Sequence, residues 1–305
     1  MFKRVFSIFL VIIISYSFLA NADDTAIGEA VIAENNIGYN AIYNGVDYNK
    51  ASVASVDRTI PIDEKGTMTI NVTSGGNSIQ NLCSDLNVTG LNVITWYSEP
   101  KGSWVFKVFI TVSNTSANNI EISNKTIEVY NNDFSKQFSL MAVNLYTSPL
   151  VIPAGGDGCF YTNAPIPMLD FTEQDLTKGY NIKVSWDEVD SKVFASKLNC
   201  VVGDITMPMN KKEEVSTNLK VYNSIDKDID YVSTYCVWYG LNENNELVIK
   251  DICSEDFQNF MVGDVSEMTE YFTSPITPVF EDASQAPVKV ECNSYGTVVK
   301  GRLLG

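Results

Sequence analysis

Apolar residues in this chain recur mostly at every second position. Residues 104–112 read Trp-Val-Phe-Lys-Val-Phe-Ile-Thr-Val, a run dominated by β-branched and aromatic side chains. Ile120, Ile122, Ile127 and Val129 continue the alternation, and so do Ile182, Val184 and Trp186, then Leu219 and Val221, then Val288 and Val290. Clusters of Asn, Asp, Gly, Ser and Pro separate these runs. Period-two runs of this length between turn residues predict an all-β chain. Residues 239–247 predict a strand, a polar turn and a second strand. Two segments, 170–178 and 254–261, are the exceptions and predict short helices.

The chain also resembles itself. At an offset of 109, Val112, Asn114, Ile120 and Tyr130 meet Val221, Asn223, Ile229 and Tyr239, while Ile110 meets Leu219 and Glu121 meets Asp230. At 110, Tyr161, Pro165 and Ile166 meet Tyr271, Pro275 and Ile276; at 106, Ile182-Lys183-Val184 meets Val288-Lys289-Val290. The same order in both copies predicts a duplicated module. The expected organisation is a leader at 1–22, an extension or added strands at 23–75, and two β-sandwich domains at 76–195 and 196–305.

Residues 1–22 carry the marks of a secretory signal peptide. Lys3 and Arg4 precede an apolar run from Val5 to Leu19, and Ala20-Asn21-Ala22 offers small residues at a cleavage site. The mature chain is expected to begin at Asp23. The apolar run falls short of the roughly 20 residues a bilayer span needs, and no later run reaches it. Export, to the periplasm, the medium or the cell surface, is the expectation, with no transmembrane segment in the mature chain. Composition then narrows the chemistry. With 37 acidic against 21 basic residues, the net charge of −16 argues against nucleic acid as a partner. The absence of histidine removes Ser-His-Asp and Cys-His nucleophile systems and histidine metal sites.

Residues 112–116 (Val-Ser-Asn-Thr-Ser), 127–133 (Ile-Glu-Val-Tyr-Asn-Asn-Asp) and 153–160 (Pro-Ala-Gly-Gly-Asp-Gly-Cys-Phe) resemble the bacterial extracytoplasmic β-sandwich family called FxLYD, and immunoglobulin-like domains more broadly. The resemblance covers about 100–190, with a weaker echo at 212–299; Ile127 to Asp133 only approximates the name-giving motif. It implies tandem immunoglobulin-like sandwiches and an exported protein, not an activity.

Six cysteines in an exported chain imply disulfides. In the repeat, Cys236 aligns with Ile127 and Cys292 with Trp186, so both cysteines are replaced together by apolar residues in the first copy. That suggests a Cys236–Cys292 bond, similar to the inter-sheet bridge of immunoglobulin-type sandwiches. Cys83 and Cys200 each precede a module's first strand, which leaves Cys83–Cys159 and Cys200–Cys253 as the remaining pairs.

Candidate chemistry is sparse. The carboxylate clusters Asp170, Glu173, Asp175 and Asp187, Glu188, Asp190 supply residues for a glycosidase-like reaction, but their spacing favours a solvated surface. Asp226, Asp228 and Asp230 begin like a calcium loop, yet Tyr231 and Val237 stand where the loop needs Gly and Glu. Asp226 and Asp228 remain weak calcium candidates beside a plain polar turn. Gly155-Gly156-Asp157-Gly158 lacks the lysine of a phosphate loop and reads as a turn. Asn71, Asn87, Asn114 and Asn124 match the glycosylation pattern but are expected by chance in so Asn-rich a chain. Trp186 and Trp238 fall on core positions of strands, whereas Trp96 and Tyr97 abut a loop and are the weak candidates for ligand contact. No cofactor is expected. The expected function is an exported, non-catalytic binding or structural protein that recognises a protein or glycan partner. The alternatives are a carboxylate-based hydrolase or a subunit of a surface fibre or secretion apparatus.

Overall fold

The structure is a computed structural model that describes residues 66–139 and 145–299, with the backbone of a short hairpin before them, β1 (Ile42–Tyr43) and β2 (Val46–Asp47). The leader at 1–22 and most of the 23–75 extension lie outside the described residues. The fold is all-β and sandwich-like, with antiparallel pairing throughout.

The first sheet has the order β4-β3-β12-β7-β9, formed by β3 (Thr67–Thr73), β4 (Gly76–Cys83), β7 (Asn119–Asn131), β9 (Val151–Ile152) and β12 (Tyr180–Ser191). The second sheet is built on β6 (Ser103–Asn114). One side of β6 pairs with β5 (Leu86–Ser98); the other pairs with β10 (Asp157–Thr162) and β11 (Ile166–Pro167), and β8 (Leu145–Ser148) follows β10. The remaining strands form one six-stranded sheet: β13 (Phe194–Thr206), β14 (Val215–Tyr222), β15 (Ile229–Leu241), β16 (Leu247–Phe260), β17 (Val265–Phe272) and β18 (Lys289–Val298), in the order β16-β15-β18-β13-β14-β17. This sheet folds over at β13. Residues 194–198 pair with β18 and residues 199–206 with β14, which brings the two wings face to face.

Alternation explains how the sheets stack. On β6, Phe106, Val108, Ile110 and Val112 point into the core shared with the first sheet, among Ile127, Val129, Tyr180, Ile182 and Trp186. Phe109 points the other way, onto Tyr235, Val237, Ile249 and Tyr295 of the six-stranded sheet. The opposite face of β15, carrying Val232 and Cys236, packs on Leu219 and Val221. Trp238, fully buried on that same strand, meets Phe272. Two of the four layers are thus buried on both faces, which is why residues 104–112 of β6 read as a nearly continuous apolar run.

Two positions that the sequence alignment matches, Asn114 and Asn223, make the same set of bonds. Buried Asn114 donates its amide to Asn118 O (2.8 Å) and Ile152 O (3.0 Å). Asn223 donates to Lys227 O (3.0 Å) and Phe260 O (2.9 Å). Each also exchanges backbone bonds with a Gly-bearing turn, Asn114 with Gly155 and Gly156, Asn223 with Gly263 and Asp264. These asparagines cap carbonyls that the end of a strand leaves exposed. Asn114→Ala and Asn223→Ala are each expected to cost about 1–3 kcal/mol, because each strands a buried carbonyl; urea melts of the two variants check this. Asn114 is 1% exposed, so its amide is committed to the fold and not to a glycan.

Of the two segments expected to be helical, the first holds a helix, α1 (Glu173–Lys178), with Thr172 and Asp175 forming a reciprocal capping box. The second is instead the end of strand β16. Phe257 and Phe260 look helical because they lie three apart, yet Asn259 takes φ 59°, and this left-handed residue turns both rings to the same face. Their centroids stand 5.1 Å apart, edge to face, in the core.

The cysteines also depart from expectation in part. Cys236 and Cys292 are joined, with Cα atoms 4.1 Å apart. They are register partners on neighbouring strands β15 and β18, so the bond lies within one sheet and not between two. The position matching Cys292 is Val184, the register partner of Ile127, and not Trp186. Cys83 and Cys159 are not joined. Cys83 ends β4 in the first sheet, opposite Thr67, while Cys159 on β10 faces the six-stranded sheet and lies near Ser148 O at 3.5 Å. Nor are Cys200 and Cys253 bonded, although both pack into one core cluster.

Candidate functional site

The segment linking β12 to β13 runs past the start of β7 and the end of β18, and a groove of about 670 Å³ opens there. Val189, Val193, Phe194, Val298 and Val299 give it apolar surface. Lys192 and Lys227 supply cations, and Lys227 Nζ sits 4.1 Å from the centroid of the half-exposed Phe194 ring. Glu121 accepts from Ser191 Oγ at 3.2 Å, and Asp190 from Asn118 Nδ2 at 2.9 Å. Both carboxylates are therefore held by neighbours. An aromatic ring beside cations and oriented carboxylates suits recognition of a polar chain.

Most of the residues singled out in the sequence fall elsewhere and serve local structure. Glu188 receives Ser84 Oγ (2.5 Å), the Asp85 N–H (2.9 Å) and Trp186 Nε1 (3.1 Å). Asp187 receives Asn124 Nδ2 at 2.6 Å. Asp175 caps α1, and Asp170 begins the turn ahead of it with φ 51°. Asp228 accepts from the Val262 N–H at 2.9 Å and Asp230 from the Val299 N–H at 2.7 Å, so two members of the Asp226–Asp230 run are used as turn anchors. No group of three or more metal-type ligands converges among the described residues. Trp96 is half-buried opposite Val105, and exposed Tyr97 rests edge-on against Trp104, centroids 5.9 Å apart. Only Asp190 of the sequence candidates lines the groove.

Among the described residues, two carboxyls are shifted upward by burial, and neither lies in the groove. Asp251, 3% exposed, faces Lys107 across the contact between β6 and the six-stranded sheet, Nζ to Oδ1 3.4 Å. Burial raises its pKa, and the Lys107 cation and the Thr273 N–H (3.0 Å) partly offset that. Glu270, 5% exposed, accepts from the Cys253 thiol at 3.3 Å, and burial raises its pKa too. The sequence held one signal for the first pair: Lys107 is the one charge in the apolar run 104–112. Nothing in the sequence marks Asp251 as its partner, 144 residues away.

No protein-family model matches the chain. No curated protein matches it either. Among solved structures it is similar to a transglutaminase of red sea bream, with 10% identity and a TM-score of 0.16, over 61% of this chain and 29% of that one. The chain spans less than a third of that enzyme's chain, and a likeness so slight carries no argument about fold or activity.

Proposed function

We propose that this chain is an exported, non-catalytic binding or structural protein, built of immunoglobulin-like sandwiches and recognising a protein or glycan partner. The groove carries this reading: Phe194 stands half-exposed under Lys227, with Lys192 and the held carboxylates Glu121 and Asp190 around it. Such a surface offers stacking and hydrogen bonding without moving a proton. Among the described residues, the two carboxyls whose protonation burial alters are enclosed between sheets, Asp251 against Lys107 and Glu270 against Cys253. A hydrolase would need such a carboxyl to face its substrate.

The test uses the chain from Asp23 onward on a glycan panel and on purified cell-envelope polymers, with binding and turnover measured together. Retention without turnover is expected. Phe194→Ala should weaken it about tenfold, equivalent to about 1.4 kcal/mol. Hydrolysis of any panel member at a rate that Asp190→Asn or Glu121→Gln abolishes would overturn the reading.

A further inference from the structure

Three cysteines lie side by side in the six-stranded sheet. Cys236 on β15 is the register partner of Cys292 on β18 and, on its other side, of Cys253 on β16. Register partners in antiparallel strands project to the same face, so all three side chains enter the core cluster beside Leu219 and Phe260. The outer two flank Cys236 from opposite directions, because β16 and β18 lie on opposite sides of β15. Cys236 and Cys292 are bonded and Cys253 is a thiol.

Thiol–disulfide exchange requires a sulfur to approach one disulfide sulfur along the line away from the other. The strand order supplies that line: Cys253 on one side of Cys236, the leaving Cys292 on the other. Antiparallel register partners have Cα atoms roughly 4.5 or 5.5 Å apart, depending on the type of pair, and a disulfide spans both. Either neighbour therefore lies within bonding reach of Cys236 with the strands as they stand.

We propose that the row Cys292–Cys236–Cys253 is an internal disulfide exchange site, in which the bond moves between Cys236–Cys292 and Cys236–Cys253. The Cys253 thiol gives up its proton and its sulfur attacks Cys236 Sγ. The Cys236–Cys292 bond breaks, its electron pair goes to Cys292 Sγ, and that thiolate takes up a proton. One disulfide and one thiol are present before and after, so neither oxidant nor reductant is consumed.

The surroundings hold the site in one state at neutral pH. Cys253 donates to Glu270 Oε2 (3.3 Å) and receives Trp238 Nε1 (3.3 Å). Among the described residues, the second carboxylate oxygen of Glu270 is buried with no hydrogen-bond partner, so the Cys253 thiol is the donor this carboxylate has there. Burial first, then the Glu270 charge, pushes the Cys253 thiol well above its ordinary range, and Asp251 adds to the push. Glu255 acts on Glu270 in the same sense, Lys107 is paired with Asp251, and Cys200, also beside Glu270, is pushed up to about 11. No cation contacts Cys253 among the described residues, so the reactive thiolate forms only as the pH rises.

The experiment incubates the native full-length protein between pH 7 and pH 10, quenches in acid, alkylates the unfolded chain and maps disulfides without reduction. Alkylated Cys292 reports the moved bond. Its rate of appearance should rise about tenfold per pH unit, independently of protein concentration, and should vanish in Cys253→Ser. A flat Cys292 signal, or an equal one in Cys253→Ser, overturns the proposal. In Cys292→Ser, oxidised protein should contain the Cys236–Cys253 bond; recovery of both as thiols from folded variant would also overturn it.

Discussion

Lys107→Met is expected to destabilise the protein by roughly 3–5 kcal/mol, the range for removing one partner of a buried ion pair. Lys107 and Asp251 are 4% and 3% exposed, and they meet across two sheets that bury the surface between them. Methionine keeps the length and packing of the lysine stem, so the loss is electrostatic. What remains is a carboxyl with the Thr273 N–H but no cation. The pH dependence gives the signature. Without Lys107, the folded-state pKa of Asp251, already raised by burial, rises further. A folded pKa above the unfolded one makes the folded state bind the proton more tightly. The variant is therefore nearest to wild type below about pH 4, the unfolded carboxyl range, and loses ground as pH climbs through the folded value. Combining Lys107→Met with Asp251→Leu should restore most of the loss, leaving about 1–3 kcal/mol for the stranded Thr273 N–H. Denaturant melts at pH 4 and pH 7 measure all three; equal losses at both pH values would refute the assignment.

The second large effect lies two residues along the same strand. Phe109→Ala should cost about 3–5 kcal/mol, because Phe109 is fully buried against Tyr235, Val237 and Tyr295. The same experiment asks whether the layers unfold together. Wild type should melt in one calorimetric transition, since the middle sheets are buried on both faces. Asn218 occupies the corresponding position on β14, at the repeat offset of 109, and is exposed. Asn218→Ala should therefore shift stability by no more than about 0.5 kcal/mol. Similar losses in both variants would mean that Phe109 does not join the layers.

The strands were legible because alternation is a local property. Val112 with Val221 and Asn114 with Asn223 mark equivalent places, and the asparagines make matching bonds. What the sequence hid depends on which sheet faces which. Alternation tells that Phe106 and Phe109 point to opposite faces of β6, but not that both faces meet protein. The cysteine pairing shows the same limit: the repeat joined Cys236 to Cys292, yet only the pairing of β15 with β18 shows that the bond runs between neighbours in one sheet. At 254–261 strand alternation is broken by Asn259, whose left-handed backbone sets Phe257 and Phe260 to one face although they lie three apart. Of the groove, only Asp190 was singled out; Val189 and residues 191–194 adjoin it in sequence, while Glu121, Lys227, Val298 and Val299 reach it from distant segments that only the fold brings together.

The exposed Asn218 bears on number. In the first half, the face of β6 with Phe109 receives another sheet; in the second, the matching face of β14 carries Asn218 and the Lys220–Glu267 pair. On that face these polar groups interrupt an apolar surface that Val201, Val265 and Tyr271, each about half-exposed, would otherwise offer to a further sheet. Rewriting those positions on β14 and β17 is the route by which this architecture would grow.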